Sequence, residues 1–330
     1  MNPLPRIPLG TSDLRITPIG VGTWAIGGVA WGPQRRSDSL AALEYAIAAG
    51  VNWVDTAPIY GSGQAEAVLG ETLKGLPAER RPYVFSKFGC GSDSANELRC
   101  ASRAAILAEC DASLRRLGIE RIDLYQLHWP CPQPIEEAAE ACVRLLAAGK
   151  IRAVGLCNHE RAALDAWAAT GVPLATIQTP LSLFMGQAAR EVIPWAREHR
   201  TGVLAYSPLH RGILFGTWTQ DQRFPPGDHR AGRDEFRPRN LPHLLEATNR
   251  LGALARGLGI SAPRLAVTAL FAIEGLTACI VGVRNAAQGK ALADLWGPVP
   301  DAATRRAIEA ILIDLHFGLM EAADHAHRQP

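Results

Sequence analysis

Short apolar runs alternate with longer amphipathic segments along most of this chain. Ile19 to Gly22, Asn52 to Asp55, Tyr83 to Lys87, Leu124 to His128, Ala153 to Leu156, Thr176 to Gln178, Val203 to Tyr206 and Cys279 to Gly282 read as strands. Between them the pattern is helical: Ser37 to Ala49 and Arg103 to Leu117 are rich in Ala and Leu, with charges on one side. Gly50 and Gly118 stand where C-terminal caps belong. Ser261 before Ala262-Pro263 reads as an N-cap with proline in the first turn. Such alternation implies βα units and a parallel sheet. Eight candidate strands fit a (β/α)8 barrel.

Three segments fall outside the alternation. Ile7 to Ile16 reads as a β-hairpin ahead of the first unit, with its turn at Thr11-Ser12-Asp13. Leu209 to Asn240 is rich in Arg, Pro, Gly and Asp and predicts a long loop, of the kind that carries function inside a compact domain. Asp301 to Pro330 holds one helical pattern and a polar end. With no linker, repeat or low-complexity tract, residues 1–330 are expected to form one domain with a core of about 9–316.

Composition narrows the function classes. The 330 residues carry a net charge of +2, which argues against a nucleic-acid or membrane surface. No uncharged apolar stretch has the length of a membrane span. Met1 to Gly10 contains prolines and no apolar signal region, and seven scattered cysteines form no CxxC pair. Reduced thiols and a cytoplasmic location are expected.

The candidate chemistry lies at strand ends. Asp55 ends the second run, Tyr60 follows it in a loop, Lys87 ends the third run and His128 the fourth. In a parallel barrel the strand C-termini gather on one face. A carboxylate, phenol, ammonium and imidazole brought together there make a proton-donating site. A free phenol titrates near ~10, too high for an efficient acid at neutral pH, and a nearby ammonium lowers that value.

The motifs Asp55-Thr56-Ala57-Pro58-Ile59-Tyr60-Gly61, Ser86-Lys87-Phe88-Gly89 and Leu127-His128-Trp129-Pro130 resemble those of the aldo-keto reductases. The likeness continues through Gly149 to Gly155, Ala205 to Leu209 and Val281 to Asn285, and spans about Leu9 to Gly297. It is nearest in character to the bacterial general-stress-like branch and the related potassium-channel β subunits. It implies a (β/α)8 barrel that binds NADP(H) without a Rossmann domain. Tyr60 matches the general acid, Lys87 and Asp55 the ion pair behind it, and His128 the group that orients the carbonyl. Asn158 and Gln178 match residues that bond the nicotinamide carboxamide, and Tyr206 the ring stacked beneath it. Ser207, Leu209 and Gly212 match the loop along the pyrophosphate, Arg284 the 2′-phosphate ligand and Gln288 an adenine contact. Arg284 therefore favours NADPH over NADH, since a guanidinium fork suits a phosphate. Departures from the family pattern are Cys157, Thr179-Pro180-Leu181, His210 and Leu292.

The resemblance implies reversible reduction of an aldehyde, ketone or sugar carbonyl. A slow NADP(H)-binding sensor subunit is the alternative. Trp24, Trp31, Phe88 and Trp129 are the expected substrate walls. The partner is then a small carbonyl compound, and the chain a monomer or weak homo-oligomer. Gly20-Val21-Gly22-Thr23-Trp24-Ala25 also fits a dinucleotide-binding glycine pattern, but no helix pattern begins before Ser37, which argues against a Rossmann turn. No histidine pair with a nearby acid suggests a metal, although His325 and His327 stand together in the tail.

Overall fold

The computed structural model describes residues 3–90 and 99–328. Eight parallel strands close into a barrel: β3 (Ile19–Gly22), β4 (Trp53–Asp55), β5 (Tyr83–Phe88), β6 (Ile122–Leu127), β7 (Ile151–Cys157), β8 (Thr176–Pro180), β9 (Gly202–Tyr206) and β10 (Leu276–Gly282). Each pairs with the next, and β10 returns to β3 with Cys279 opposite Ile19. All eight expected strands are present, with ends displaced by a few residues. The antiparallel hairpin β1 (Ile7–Pro8) and β2 (Arg15–Ile16) precedes them, as the sequence pattern predicts.

Helices α1 (Arg36–Ala48), α2 (Gln64–Lys74), α3 (Arg103–Leu117), α4 (Ile135–Ala147), α5 (Arg161–Ala169) and α6 (Gln187–Glu198) connect successive strands from β3 to β9. At α3 the expected cap Gly118 takes a left-handed φ of 64° that stops the helix, and at the other end the Ser102 hydroxyl accepts the Ala105 N–H. Ser261 caps α8 (Ala262–Leu270) in the same way. Helix α7 (Leu241–Gly257) precedes it, α9 (Ala286–Ala291) follows β10, and α10 (Ala302–Arg328) packs along α7. The predicted loop after β9 contains short 3-10 turns at His210–Phe215, His229–Gly232 and Asp234–Phe236. No helix among the described residues is long and apolar enough to cross a membrane.

Strand alternation sorts the side chains into two cores. Outward residues such as Val54, Val84, Phe88 and Tyr125 join the shell beneath the helices. Inward residues Trp53, Phe85, Leu124, Ala153, Leu204 and Ile280 fill the barrel, and the hairpin's Leu9, Leu14 and Ile16 plug its lower end. Because the period is two, the next inward positions lie one layer higher. There the residues are polar: Asp55 follows Trp53, Lys87 follows Phe85, Gln126 follows Leu124, Gln178 follows Thr176 and Tyr206 follows Leu204. A sealed apolar floor thus carries a polar layer at the strand C-termini.

The glycine pattern at Gly20-Val21-Gly22 has a packing cause. A Cβ at Gly20 would sit 2.2 Å from the Trp53 ring, and one at Gly22 would sit 2.8 Å from Ile280. These glycines leave room for the barrel core, not for a pyrophosphate. Gly20→Ala should therefore destabilise the fold by about 1–3 kcal/mol through overpacking. Urea unfolding measures this, and an unchanged midpoint would refute the assignment.

Candidate active site

The polar layer is organised around one buried ion pair. Lys87 Nζ donates to Asp55 Oδ1 at 2.5 Å and to the Thr56 carbonyl at 3.0 Å, and Lys87 has no exposed surface. Asp55 Oδ2 accepts from Gln178 Nε2 at 2.7 Å and from Gln126 Nε2 at 3.3 Å. Gln178 Nε2 also reaches Gln126 Oε1 at 3.2 Å, and the Cys157 thiol donates to Gln178 Oε1 at 3.5 Å. The carboxylate is therefore satisfied on both oxygens, as burial of a charge requires. Gln126 was not singled out in the sequence. Its signal is its place in the alternation, an amide two residues after the inward Leu124. Gly155 makes room for it, since a Cβ there would lie 2.8 Å from Gln126 Cγ.

Tyr60 and His128 stand over this pair. Lys87 Nζ lies 5.1 Å from the centre of the Tyr60 ring. The Tyr60 and His128 rings are 5.8 Å apart and nearly perpendicular. Burial raises the phenol above its usual range, Lys87 opposes that, and Asp55 behind the lysine cancels part of the opposition. The net direction is upward, the reverse of what a lone ammonium would produce. Tyr60 is thus a neutral phenol that still holds its proton at neutral pH. For Lys87, burial favours the neutral amine, but Asp55 and Tyr60 outweigh it and the ammonium is held charged.

His128 is held neutral. Burial lowers it well below the usual imidazole range, with Lys87 and Arg99 adding to the effect. Its Nδ1 lies 3.3 Å from Cys90 Sγ. Burial and the Glu109 carboxylate keep that thiol protonated, while the backbone N–H of Ile59 bonds its sulfur. His128 stacks on Trp129 at 4.3 Å, and the Trp129 indole donates to the Gly89 carbonyl at 2.7 Å.

The remaining predicted residues fall into three groups. Asn158, at φ 62°, donates Nδ2 to the His128 carbonyl at 2.9 Å and accepts the Tyr206 hydroxyl at 2.7 Å. Burial pushes that Tyr206 phenol up to about 12, with its ring half-exposed at the end of β9. Beyond it Ser207, His210, Arg211 and Gly212 all take positive φ, and Leu209 is buried in the core. Arg284 and Gln288 follow β10, where Gln288 Oε1 accepts the Arg284 N–H at 2.7 Å.

Trp24 lies 6.3 Å from the Tyr60 ring and meets Trp31 edge-on at 5.2 Å. His229, from the long loop, sits 4.6 Å from each indole. It was not anticipated, because only folding brings residue 229 beside residue 24. Phe88 is corrected: it is fully buried, faces outward and packs on Tyr125 at 4.7 Å, so it lines no substrate pocket. The alternation decides this, since Lys87 faces inward and its neighbour cannot. No metal-holding cluster of His, Cys, Asp or Glu occurs among the described residues, and the side chains of His325 and His327 lie outside them.

Residues 18–312 match the model of the aldo/keto reductase family. The chain is 35% identical over 306 residues to the aldo-keto reductase YhdN of Bacillus subtilis, covering 92% of each protein. It is 33% identical over 296 residues to the NADH-specific methylglyoxal reductase of Escherichia coli, covering 84% of this chain and 89% of that one. A glycerol dehydrogenase from Gluconobacter oxydans has the same fold at a TM-score of 0.85 and 34% identity, over 94% of this chain and 96% of that one. The chain belongs to the aldo/keto reductase family, a family of oxidoreductases that work with nicotinamide cofactors.

Two outcomes follow from the electrostatics. Asp55→Leu and Lys87→Met each strand one buried charge and should each cost about 3–5 kcal/mol in urea unfolding. The double variant should cost much less than their sum, and additive losses would show that the two groups are not coupled.

Buried neutral histidines also set an acid limit. Burial lowers His159 to about 4 and His210 to about 3, with Arg211 and Arg233 adding to the His210 shift. Unfolded imidazoles titrate near ~6.5, so below that pH the unfolded chain binds protons that the folded chain refuses. Stability is full above about pH 6.5 and falls as the pH drops towards 4. His210→Asn should flatten the decline in Tm between pH 6.5 and pH 4.5, and an equally steep decline would contradict this account.

Proposed function

We propose that this protein reduces the carbonyl of a small aldehyde, ketone or sugar to the alcohol, with Tyr60 as general acid. The observation that carries the reading is the neutral phenol set over the fully buried Lys87–Asp55 pair, with a neutral imidazole beside it. A nicotinamide cofactor, when bound, supplies the hydride.

This chain's residues do the rest. His128 Nε2–H and the Tyr60 hydroxyl both donate towards one carbonyl oxygen and fix its orientation. Negative charge grows on that oxygen as the carbonyl is reduced, and an alkoxide is a far stronger base than a phenolate. The Tyr60 proton then moves to the oxygen, and Lys87 stabilises the phenolate left behind. Asp55, held by Gln126 and Gln178, keeps Lys87 charged and in place. In the reverse direction the same phenolate takes the proton from an alcohol.

The residues present fit a dinucleotide. Tyr206 offers a partly exposed ring, and the positive φ at Ser207, His210, Arg211 and Gly212 shapes a backbone cradle. Arg211 and Arg233 bring positive charge to Tyr206, and Arg284 stands near Arg230. NADPH is the form that the resemblance implies through Arg284. An NADH-specific relative makes NADH the necessary comparison. Two relatives act on the three-carbon compounds glycerol and methylglyoxal, which places small polar carbonyls first in the substrate panel.

The test is oxidation of NADPH and NADH by the purified protein against methylglyoxal, sugar, aliphatic and aromatic aldehydes. Tyr60→Phe should keep cofactor binding and lose about 10²–10⁴-fold in kcat. Full activity in that variant would remove Tyr60 from its role.

A further inference from the structure

Arg284 is already engaged. Its Nε donates to Gln34 Oε1 at 2.8 Å, Nη1 to the Trp31 carbonyl at 2.9 Å, and Nη2 to the carbonyls of Gly32 at 3.3 Å and Pro33 at 2.6 Å. Gln34 Nε2 returns a bond to the Arg284 carbonyl at 2.8 Å. One guanidinium, which has five N–H donors, therefore clamps four consecutive residues of a single loop.

That loop is also the wall of the reaction site. It begins with the 3-10 turn Trp24–Gly27 and carries Trp31. Gly27 packs so closely on the Tyr60 backbone that a Cβ there would lie 2.7 Å from the Tyr60 carbonyl carbon. The long loop holds the middle: His229 donates both its backbone N–H and Nδ1 to the Ala30 carbonyl, at 2.9 and 2.7 Å. The Arg230 guanidinium lies 4.8 Å from the Trp31 ring and is itself fixed by the buried Asp228. Contacts thus run unbroken from Arg284 through the loop to the backbone of the proposed acid.

We propose that Arg284 is a latch that couples the adenosine end of the cofactor to the substrate wall. The proposal rests on the reading of the site as a nicotinamide-dependent reductase. The loop carbonyls are neutral acceptors, and a phosphate dianion binds a guanidinium more strongly. A 2′-phosphate competes with them for the same fork, whereas NAD(H) brings no such group and leaves the latch closed. Arg284 is therefore a specificity-determining residue: the phosphorylated cofactor loosens the Trp24 and Trp31 wall, and the unphosphorylated one keeps it closed. Carbonyl affinity then depends on which cofactor is bound.

Hydrogen exchange of the amides of residues 26–34 reads the latch without turnover. It is measured on the full chain alone, with NAD+, with NADP+, and with 2′,5′-ADP, which carries the phosphate but no nicotinamide. NADP+ and 2′,5′-ADP should each speed exchange by about fivefold, and NAD+ should leave it slow. Arg284→Ala should show the fast rate without ligand, and Gln34→Ala, which keeps the arginine, an intermediate rate. In turnover, the carbonyl KM should be several-fold higher with NADPH than with NADH in the wild type, and equal in Arg284→Ala. A loop that stays protected when NADP+ is bound, or in Arg284→Ala, overturns the latch while leaving the reductase reading intact. Failure of either dinucleotide to bind overturns both.

Discussion

A lysine ammonium with no exposed surface is unstable unless a counter-charge and hydrogen-bond acceptors surround it. The upper layer of this barrel is arranged to supply them to Lys87. Asp55 provides the charge, Thr56 a carbonyl, and Gln126 and Gln178 occupy the second carboxylate oxygen so that Asp55 stays directed at the lysine. Asp55 and Thr56 stand at the end of β4, Gln126 comes from β6 and Gln178 from β8. Their positions depend on the closed register of the barrel, and a slip of one residue in any strand would turn its polar member outwards.

The pair also sets the character of its neighbours. At Tyr60 the lysine lowers the phenol and Asp55 raises it, but burial is the largest effect and the phenol keeps its proton. At His128 burial and the lysine act together and the imidazole stays neutral, with Nδ1 beside the Cys90 thiol. Two neutral donors beside a fixed cation form a site suited to an oxygen that gains negative charge. The apolar floor below, from Trp53 and Phe85 to the plug residues Leu9 and Leu14, excludes water from the lower side and strengthens these interactions.

Above the layer, the loops determine what reaches the site. The segment with Trp24 and Trp31 is held by Arg284, His229 and Arg230, which lie some 200 or more residues away in sequence. Trp129 lies against His128 on another side. The reacting groups are thus fixed by strands, while the substrate wall is fixed by contacts between loops. This division lets one family hold its chemistry constant while the acceptable substrates change.

Much of this was legible in the chain. The eight strands, the hairpin, the caps at Gly118 and Ser261 and the residues Asp55, Tyr60, Lys87 and His128 follow from local rules, because period-two alternation and end signals act over a few residues. Which inward amides support Asp55, the outward turn of Phe88, the protonated state of Tyr60 and the clamp by Arg284 were decided only by the tertiary structure. Each depends on groups far apart in sequence that become neighbours when the barrel closes. Burial and hydrogen-bond partnership are properties of that closed arrangement, and no single segment carries them.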